Sequence, residues 1–187
     1  MKNWCYIDIP SWQDHQAQFQ QFVLERTAQV ETVYNFIKAK DFVQHNPVLA
    51  DILQSTFGTI ERLMIFKMTH AQIKKLEHNT IHKDSNPGKQ QVRLNWPVLN
   101  PESVITKFFS VDIANGRKHL INPPFDDHIV LYNSESSKEI DQICIDRPVA
   151  FNILQPHSMF EHGLAWPRIM CSFNFVDDTN LIKYLEE

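Results

Sequence analysis

A chain of 187 residues, 43 % apolar and 21 % charged, has the size and composition of one ordinary globular domain. A net charge of −4 with no Lys/Arg-rich run indicates no dominant nucleic-acid footprint, leaving room for local basic surface, and no apolar run reaches the ~20 residues that a membrane span needs. Cys5, Cys144 and Cys171 are odd in number and widely spaced, so neither a disulfide framework nor a CxxC pair is indicated. With an N-terminus that turns polar too early for a secretory leader, they fit a reducing, cytoplasmic setting.

Residues 1–57 read as a helical layer. Ser11 with Asp14 three positions later has the form of a capping box. Phe19, Phe22, Val23, Val30, Val33, Tyr34 and Ile37 then recur mostly at three- and four-residue steps, as one buried helical stripe. Asn46-Pro47 pairs an N-cap residue with proline at the first helical position. Val48, Leu49, Ile52 and Leu53 form the apolar face of this second helix, and Gly58 ends it.

From Gly58 the texture changes to short apolar runs between turn residues. The predicted strands are 59–67, 78–84, 91–98, 104–110, 128–132, 140–145, 149–154 and 167–176. Pro87-Gly88 is a turn signal, since proline presets φ and glycine accepts positive φ. Asn115-Gly116 suits a type I′ hairpin. Such a run of strands suggests a sandwich or barrel, and a cupin-like jelly roll (a double-stranded β-helix) with helices on one side is the simplest form. Segment 112–127, polar and proline-rich, is either a surface loop or a lid. With residues 177–187 as a C-terminal tail, and no repeat or linker, 1–187 reads as a single domain with its core in 58–176.

Four residues in the strand-rich part carry chemistry. His82 and Asp84 are two apart, so on an extended segment they point to one face. With His157 they would supply two imidazoles and one carboxylate, the set that binds one face of Fe(II) and leaves three positions open. His162, five residues beyond His157, competes for the third place, and His78 shares the strand face of His82. Arg168 lies eleven positions after His157 and opens the last predicted strand. There Arg168, Met170, Ser172 and Asn174 share one face, while Ile169, Cys171, Phe173 and Phe175 form an apolar one. An arginine at that place can fork onto a carboxylate. His-x-Asp alone is common by chance, so the ordered combination is what counts. A phosphate-binding glycine loop, a Gly-x-Ser-x-Gly elbow and His-Glu-x-x-His are all absent from the sequence.

His82-Lys83-Asp84, Arg93-Leu94-Asn95-Trp96-Pro97-Val98-Leu99-Asn100 and Pro156-His157-Ser158 through Pro167-Arg168-Ile169-Met170-Cys171-Ser172 resemble the Fe(II)/2-oxoglutarate-dependent oxygenase superfamily over about residues 59–176. The Asn-Trp-Pro segment is similar to a small subgroup reminiscent of aspartyl/asparaginyl hydroxylase-like proteins. The resemblance implies an oxygenase, a hydroxylase in kind, with His82, Asp84 and His157 on iron and Arg168 on the distal carboxylate of 2-oxoglutarate. The family pattern has serine two residues after the arginine, where this chain has Met170. Ser172 keeps the strand parity but sits about 7 Å further along. Ser172 and Asn95 are the remaining candidates for contact with the cosubstrate. A small-molecule or peptide substrate is expected. Two other readings share the fold: a cupin-like metal enzyme that does not use 2-oxoglutarate, and a non-catalytic jelly-roll binding module.

Overall fold

The structure, a computed structural model, describes residues 1–28, 34–77, 81–85, 90–122 and 127–187. Its described residues form two six-stranded antiparallel sheets, with most of the helices packed on one of them. The first sheet contains β1 (Trp4–Tyr6), β2 (Tyr34–Lys38), β3 (Ile60–Met68), β5 (Val92–Leu99), β10 (Val149–Asn152) and β12 (Arg168–Phe175), in the order β1-β10-β5-β12-β3-β2. The second contains β4 (Ile81–Ser85), β6 (Val104–Ser110), β7 (Arg117–Asn122), β8 (Asp127–Tyr132), β9 (Lys138–Ile143) and β11 (His157–Glu161), in the order β7-β8-β4-β11-β6-β9. From β3 to β6, and again from β9 to β12, successive strands alternate between sheets, a jelly-roll-like arrangement.

The first sheet has two unlike faces, because its strands alternate two unlike sets of residues. One set (Leu63, Ile65, Leu94, Trp96, Cys171 and Phe173 among them) is fully buried under the helices. Helix α1 (Trp12–Thr27) lays Phe19, Phe22 and Val23 on it, and α3 (Pro47–Phe57) lays Leu49, Leu53 and Phe57. The Trp96 indole N–H donates to Gln16 Oε1 at 2.5 Å, and Gln16 Nε2 donates to the Pro97 carbonyl at 2.9 Å, bolting α1 to β5. The opposite face, turned toward the second sheet, carries Arg93, Asn95, Arg168, Ser172 and Asn174, all buried. Polar side chains buried between two sheets are costly unless something satisfies them, so this face is where chemistry is expected.

Several sequence expectations are corrected. The predicted stripe from Phe19 to Ile37 is not one helix: α1 ends at Thr27, and Tyr34–Lys38 is an edge strand paired with β3. Val30 and Val33 lie outside the described residues. The aromatic and branched residues of Tyr34–Lys38 satisfy either period, and pairing with β3 decides for strand. Helix α2 (Ala39–His45) and strand β1 were also not expected. Ser11 takes left-handed dihedrals (φ 54°, ψ 30°) with no side-chain cap, so the capping box is not formed. Helix α3 starts and stops as expected, with Gly58 at φ 99°, where a side chain would be strained. Its Val48 is 60 % exposed rather than on the buried face.

The strand predictions locate eight of the twelve described strands to within a few residues. Helix α4 (His70–Glu77) intervenes before β4, which is only Ile81–Ser85; His78 lies outside the described residues. Asn115 ends a 3₁₀ turn and Gly116 has φ −71°, so no type I′ hairpin forms there. Segment 112–127 contributes edge strand β7 rather than a bare loop or lid. Pro87-Gly88 and residues 123–126 lie outside the described residues. The expected tail contains α5 (Thr179–Glu186), anchored by Leu181 and Leu185. Just before α5, the Asp178 carboxylate accepts the backbone N–H groups of Gln91 (2.6 Å) and Val92 (2.8 Å), fixing the start of β5. Among the described residues no helix is long and apolar enough to cross a membrane.

Candidate metal centre

His82 and Asp84 project from one face of β4, as their spacing requires. His157 opens β11, a strand the sequence reading missed, and is the direct Cα partner of His82 across the β4–β11 ladder. Its imidazole sits 4.5 Å, centroid to centroid, from that of His82. One potential ligand atom from each of His82, Asp84 and His157 lies within 4.8 Å of the other two, and no other such group of His, Cys, Asp or Glu exists among the described residues. His162 is exposed and does not join them.

His157 is 7 % exposed, with Phe151 edge-on at 4.9 Å and Phe108 at 6.2 Å. Its Nδ1 lies 2.8 Å from the Gln155 carbonyl. A carbonyl only accepts, so Nδ1 carries the proton and Nε2 keeps its lone pair for a ligand bond. Burial, then the neighbouring His82, lowers its pKa to about 4 against the pull of Asp84, so the ring is neutral at neutral pH. For Asp84, burial raises the carboxyl, but Arg93, His82 and His157 together outweigh it and hold the group below the usual carboxylate range. The set is therefore two imidazoles and one carboxylate, with His157 neutral. Its donor chemistry fits Fe(II), and also Zn²⁺.

Arg93 is the residue the sequence reading left without a role. It reaches across from β5 and donates from Nη1 to Asp84 Oδ2 at 2.7 Å, with 7 % of its side chain exposed. Asp84 Oδ1 lies on the other side, 3.9 Å from His82 Nε2. A signal was present: Arg93 and Asn95 alternate with Leu94 and Trp96, marking a polar face on a strand whose other face is core.

Arg168 is 1 % exposed. Among the described residues its hydrogen-bond partners are two thioethers, Met170 Sδ at 3.4 Å and Met159 Sδ at 3.9 Å, and its Nε has none. Met159 is two residues from His157 on β11, about 7 Å along the same strand face. Burial lowers the Arg168 pKa to about 10, with Cys144 opposing, so the guanidinium remains charged at neutral pH. Among the described residues this buried cation faces thioethers and no anion, and a carboxylate-bearing ligand fits that need.

Ser172 and Asn95 are Cα partners across β12–β5, 1 % and 5 % exposed. The Ser172 hydroxyl and both amide atoms of Asn174 have no hydrogen-bond partner among the described residues. Trp96 belongs to the core under α1, and Trp166 packs on the His70 ring at 5.6 Å. The turn from β11 to β12 is held on residues 100–103. Asn100 Nδ2 donates to the Pro167 carbonyl (2.8 Å), the His162 N–H to the Ser103 carbonyl (3.0 Å), and the Ser103 hydroxyl to the Ala165 carbonyl. An open cleft beside Arg117, Tyr132 and Ser134 contains none of the predicted site residues.

No protein-family model matches the chain, and no curated protein matches it. Among solved structures, the chain is similar to one described as the crystal structure of the non-heme alpha ketoglutarate dependent epimerase SnoN from nogalamycin biosynthesis. That likeness has a TM-score of 0.46 and 9 % sequence identity, over 92 % of this chain and 76 % of the other.

Proposed function

We propose that this chain is an Fe(II)- and 2-oxoglutarate-dependent oxygenase, a hydroxylase in kind, acting on a small-molecule or peptide substrate. The observation that carries the reading is Arg168: a buried guanidinium with no anionic partner among the described residues, on the interior face of the first sheet, opposite the sheet that bears the His-Asp-His cluster. The fold reading that goes with it is a double-stranded β-helix. Its support is the strand order, β3-β12-β5-β10 facing β4-β11-β6-β9, with connections that alternate between the two. Asn95-Trp96-Pro97 supports the likeness to the subgroup reminiscent of aspartyl/asparaginyl hydroxylase-like proteins.

In this reading His82, His157 and Asp84 would hold the iron, and Arg168 would hold the distal carboxylate of 2-oxoglutarate. When bound, iron and 2-oxoglutarate supply oxidising power from O₂, with succinate and CO₂ as co-products. The protein binds, orients and excludes water. Gln155 fixes the His157 tautomer through its carbonyl. Phe108 and Phe151 wall His157 with apolar surface. Asn95 and Ser172 offer an amide and a hydroxyl, further along the strands than Arg168, for contact with cosubstrate or substrate.

Anaerobic titration with Fe(II) and 2-oxoglutarate tests the reading. The expected result is a weak charge-transfer band at about 500 nm that saturates with both components. It should be lost in Arg168→Ala at the same 2-oxoglutarate concentration. Bound iron without the band would instead support a metal enzyme that does not use 2-oxoglutarate. No bound iron would support a non-catalytic module.

A further inference from the structure

We infer that Arg93 is a built-in counter-cation for Asp84, standing in for the metal's charge when the metal is away and thereby setting how tightly the centre holds a metal. The inference rests on the proposed His82–Asp84–His157 centre.

The geometry divides the Asp84 carboxylate between two tasks. Oδ2 takes the Arg93 Nη1 donor at 2.7 Å, while Oδ1 faces His82 at 3.9 Å. The pair spans the interior, since Asp84 stands on β4 of the second sheet and Arg93 on β5 of the first. Both are largely buried, at 18 % and 7 % side-chain exposure. A carboxylate in that position without a counter-charge is strongly unfavourable, and removing one member of a buried pair leaves the other uncompensated. Arg93 therefore lets the metal-free interior exist with Asp84 ionised and its free oxygen already aimed at the histidines.

The same cation opposes the metal. A dication on Oδ1 would share one carboxylate with the guanidinium, and like charges at such separation repel strongly in an interior of reduced dielectric. The guanidinium is itself incompletely satisfied, because its Nε has no hydrogen-bond partner among the described residues. Asn174 flanks it on β12, since Phe173 pairs with Leu94. Asn174 is 0 % exposed, and its carbonyl oxygen likewise lacks a partner among the described residues. That oxygen is an acceptor on the same sheet face for a guanidinium that gives up part of its hold on Asp84.

The test uses the full chain, wild type and Arg93→Gln, with Mn²⁺ as a divalent probe that does not oxidise in air. Thermal unfolding is followed with and without Mn²⁺, and free Mn²⁺ is titrated by its paramagnetic resonance signal. Arg93→Gln should lower the metal-free Tm, widen the gap between metal-free and Mn²⁺-loaded Tm, and tighten Mn²⁺ binding on the order of tenfold or more. Arg93→Lys should restore much of the metal-free Tm, because it returns the charge. Equal Tm losses with and without Mn²⁺ and an unchanged Kd would overturn the inference, leaving Arg93 a packing residue; weaker Mn²⁺ binding in Arg93→Gln would overturn it as well. Wild-type protein that binds no Mn²⁺ would overturn the metal centre itself. Wild-type binding abolished in Asp84→Ala yet unaltered in Arg93→Gln would overturn the role of Arg93 alone. If Arg93→Gln does not fold metal-free, recovery on refolding with Mn²⁺ supports the inference and no recovery overturns it.

Discussion

His82 and His157 face each other as direct partners across two neighbouring antiparallel strands, with their rings 4.5 Å apart. Their proximity is a property of backbone register, not of two flexible loops meeting. A centre built on ladder positions is preorganised, because the hydrogen-bonded strands hold the ring positions before any ligand arrives.

Removing the carboxylate should cost both metal and fold. Asp84→Ala strips the centre of its anionic donor and leaves Arg93 buried without a partner. Metal-free unfolding free energy is expected to fall by roughly 3 kcal/mol. Mn²⁺ binding should weaken at least about a hundredfold. Denaturant titration and Mn²⁺ titration read the two losses separately. An unchanged Mn²⁺ Kd would remove Asp84 from the centre.

Arg168 should behave in the opposite sense toward stability. Its guanidinium is buried among thioethers, with no anion beside it among the described residues. Arg168→Met exchanges an uncompensated charge for an apolar chain of comparable reach, so metal-free stability should rise by about 1 kcal/mol or more. The cosubstrate is expected to bind far more weakly, while Mn²⁺ affinity changes little. A stability loss would mean that the guanidinium has an anionic partner in the resting protein.

Acid should loosen the metal-free fold through His157. Its pKa is about 4 folded, against 6.5 as the ordinary value. Between those values the unfolded chain binds the proton and the folded chain does not, so stability falls as pH drops from 6.5 toward 4. The full loss is on the order of 3 kcal/mol. Asp84, held below the ordinary carboxylate range, adds a further loss at lower pH as it becomes protonated. Chemical denaturation at stepped pH should show the first decline in wild type and a flatter profile in His157→Gln.

The β11–β12 turn should resist even a small side chain. A Cβ on Gly163 would come within 2.9 Å of the Glu102 carbonyl oxygen and 3.0 Å of Ser103 Cα, both backbone atoms. Gly163→Ala should therefore cost about 1–3 kcal/mol. The turn joins the strands of His157 and Arg168, so cosubstrate affinity should fall with stability. Comparing Tm with 2-oxoglutarate affinity in the variant checks both.

Much of this was legible in the sequence because it depends on local parity. His82 and Asp84 share a face whenever the segment is extended, and Arg168 to Asn174 alternate against a core face in any strand. Arg93 was not assigned because its partner is fixed by the juxtaposition of β5 and β4 in different sheets, which no short-range pattern encodes. Strand β11 was missed for a related reason. His157-Ser158-Met159-Phe160-Glu161 mixes polar and apolar residues on both faces, since one face serves the candidate centre. Helices α4 and α5 are only eight residues each, too short for a sustained helical period, and α5 has Leu181 and Leu185 as its buried anchors. Tyr34–Lys38 fits both periods, and its neighbour β3 made the choice.

The Asp84 backbone amide donates to the Ile153 carbonyl at 2.9 Å, while its side chain takes Arg93 from the facing sheet. One residue thus ties three separate stretches of chain together. The two layers cannot drift apart at this end of the sandwich without dismantling the candidate centre. Opening of the sandwich at this end would free the Asp84 amide proton and loosen the candidate centre together, so hydrogen exchange at that one amide is expected to slow when a divalent metal binds.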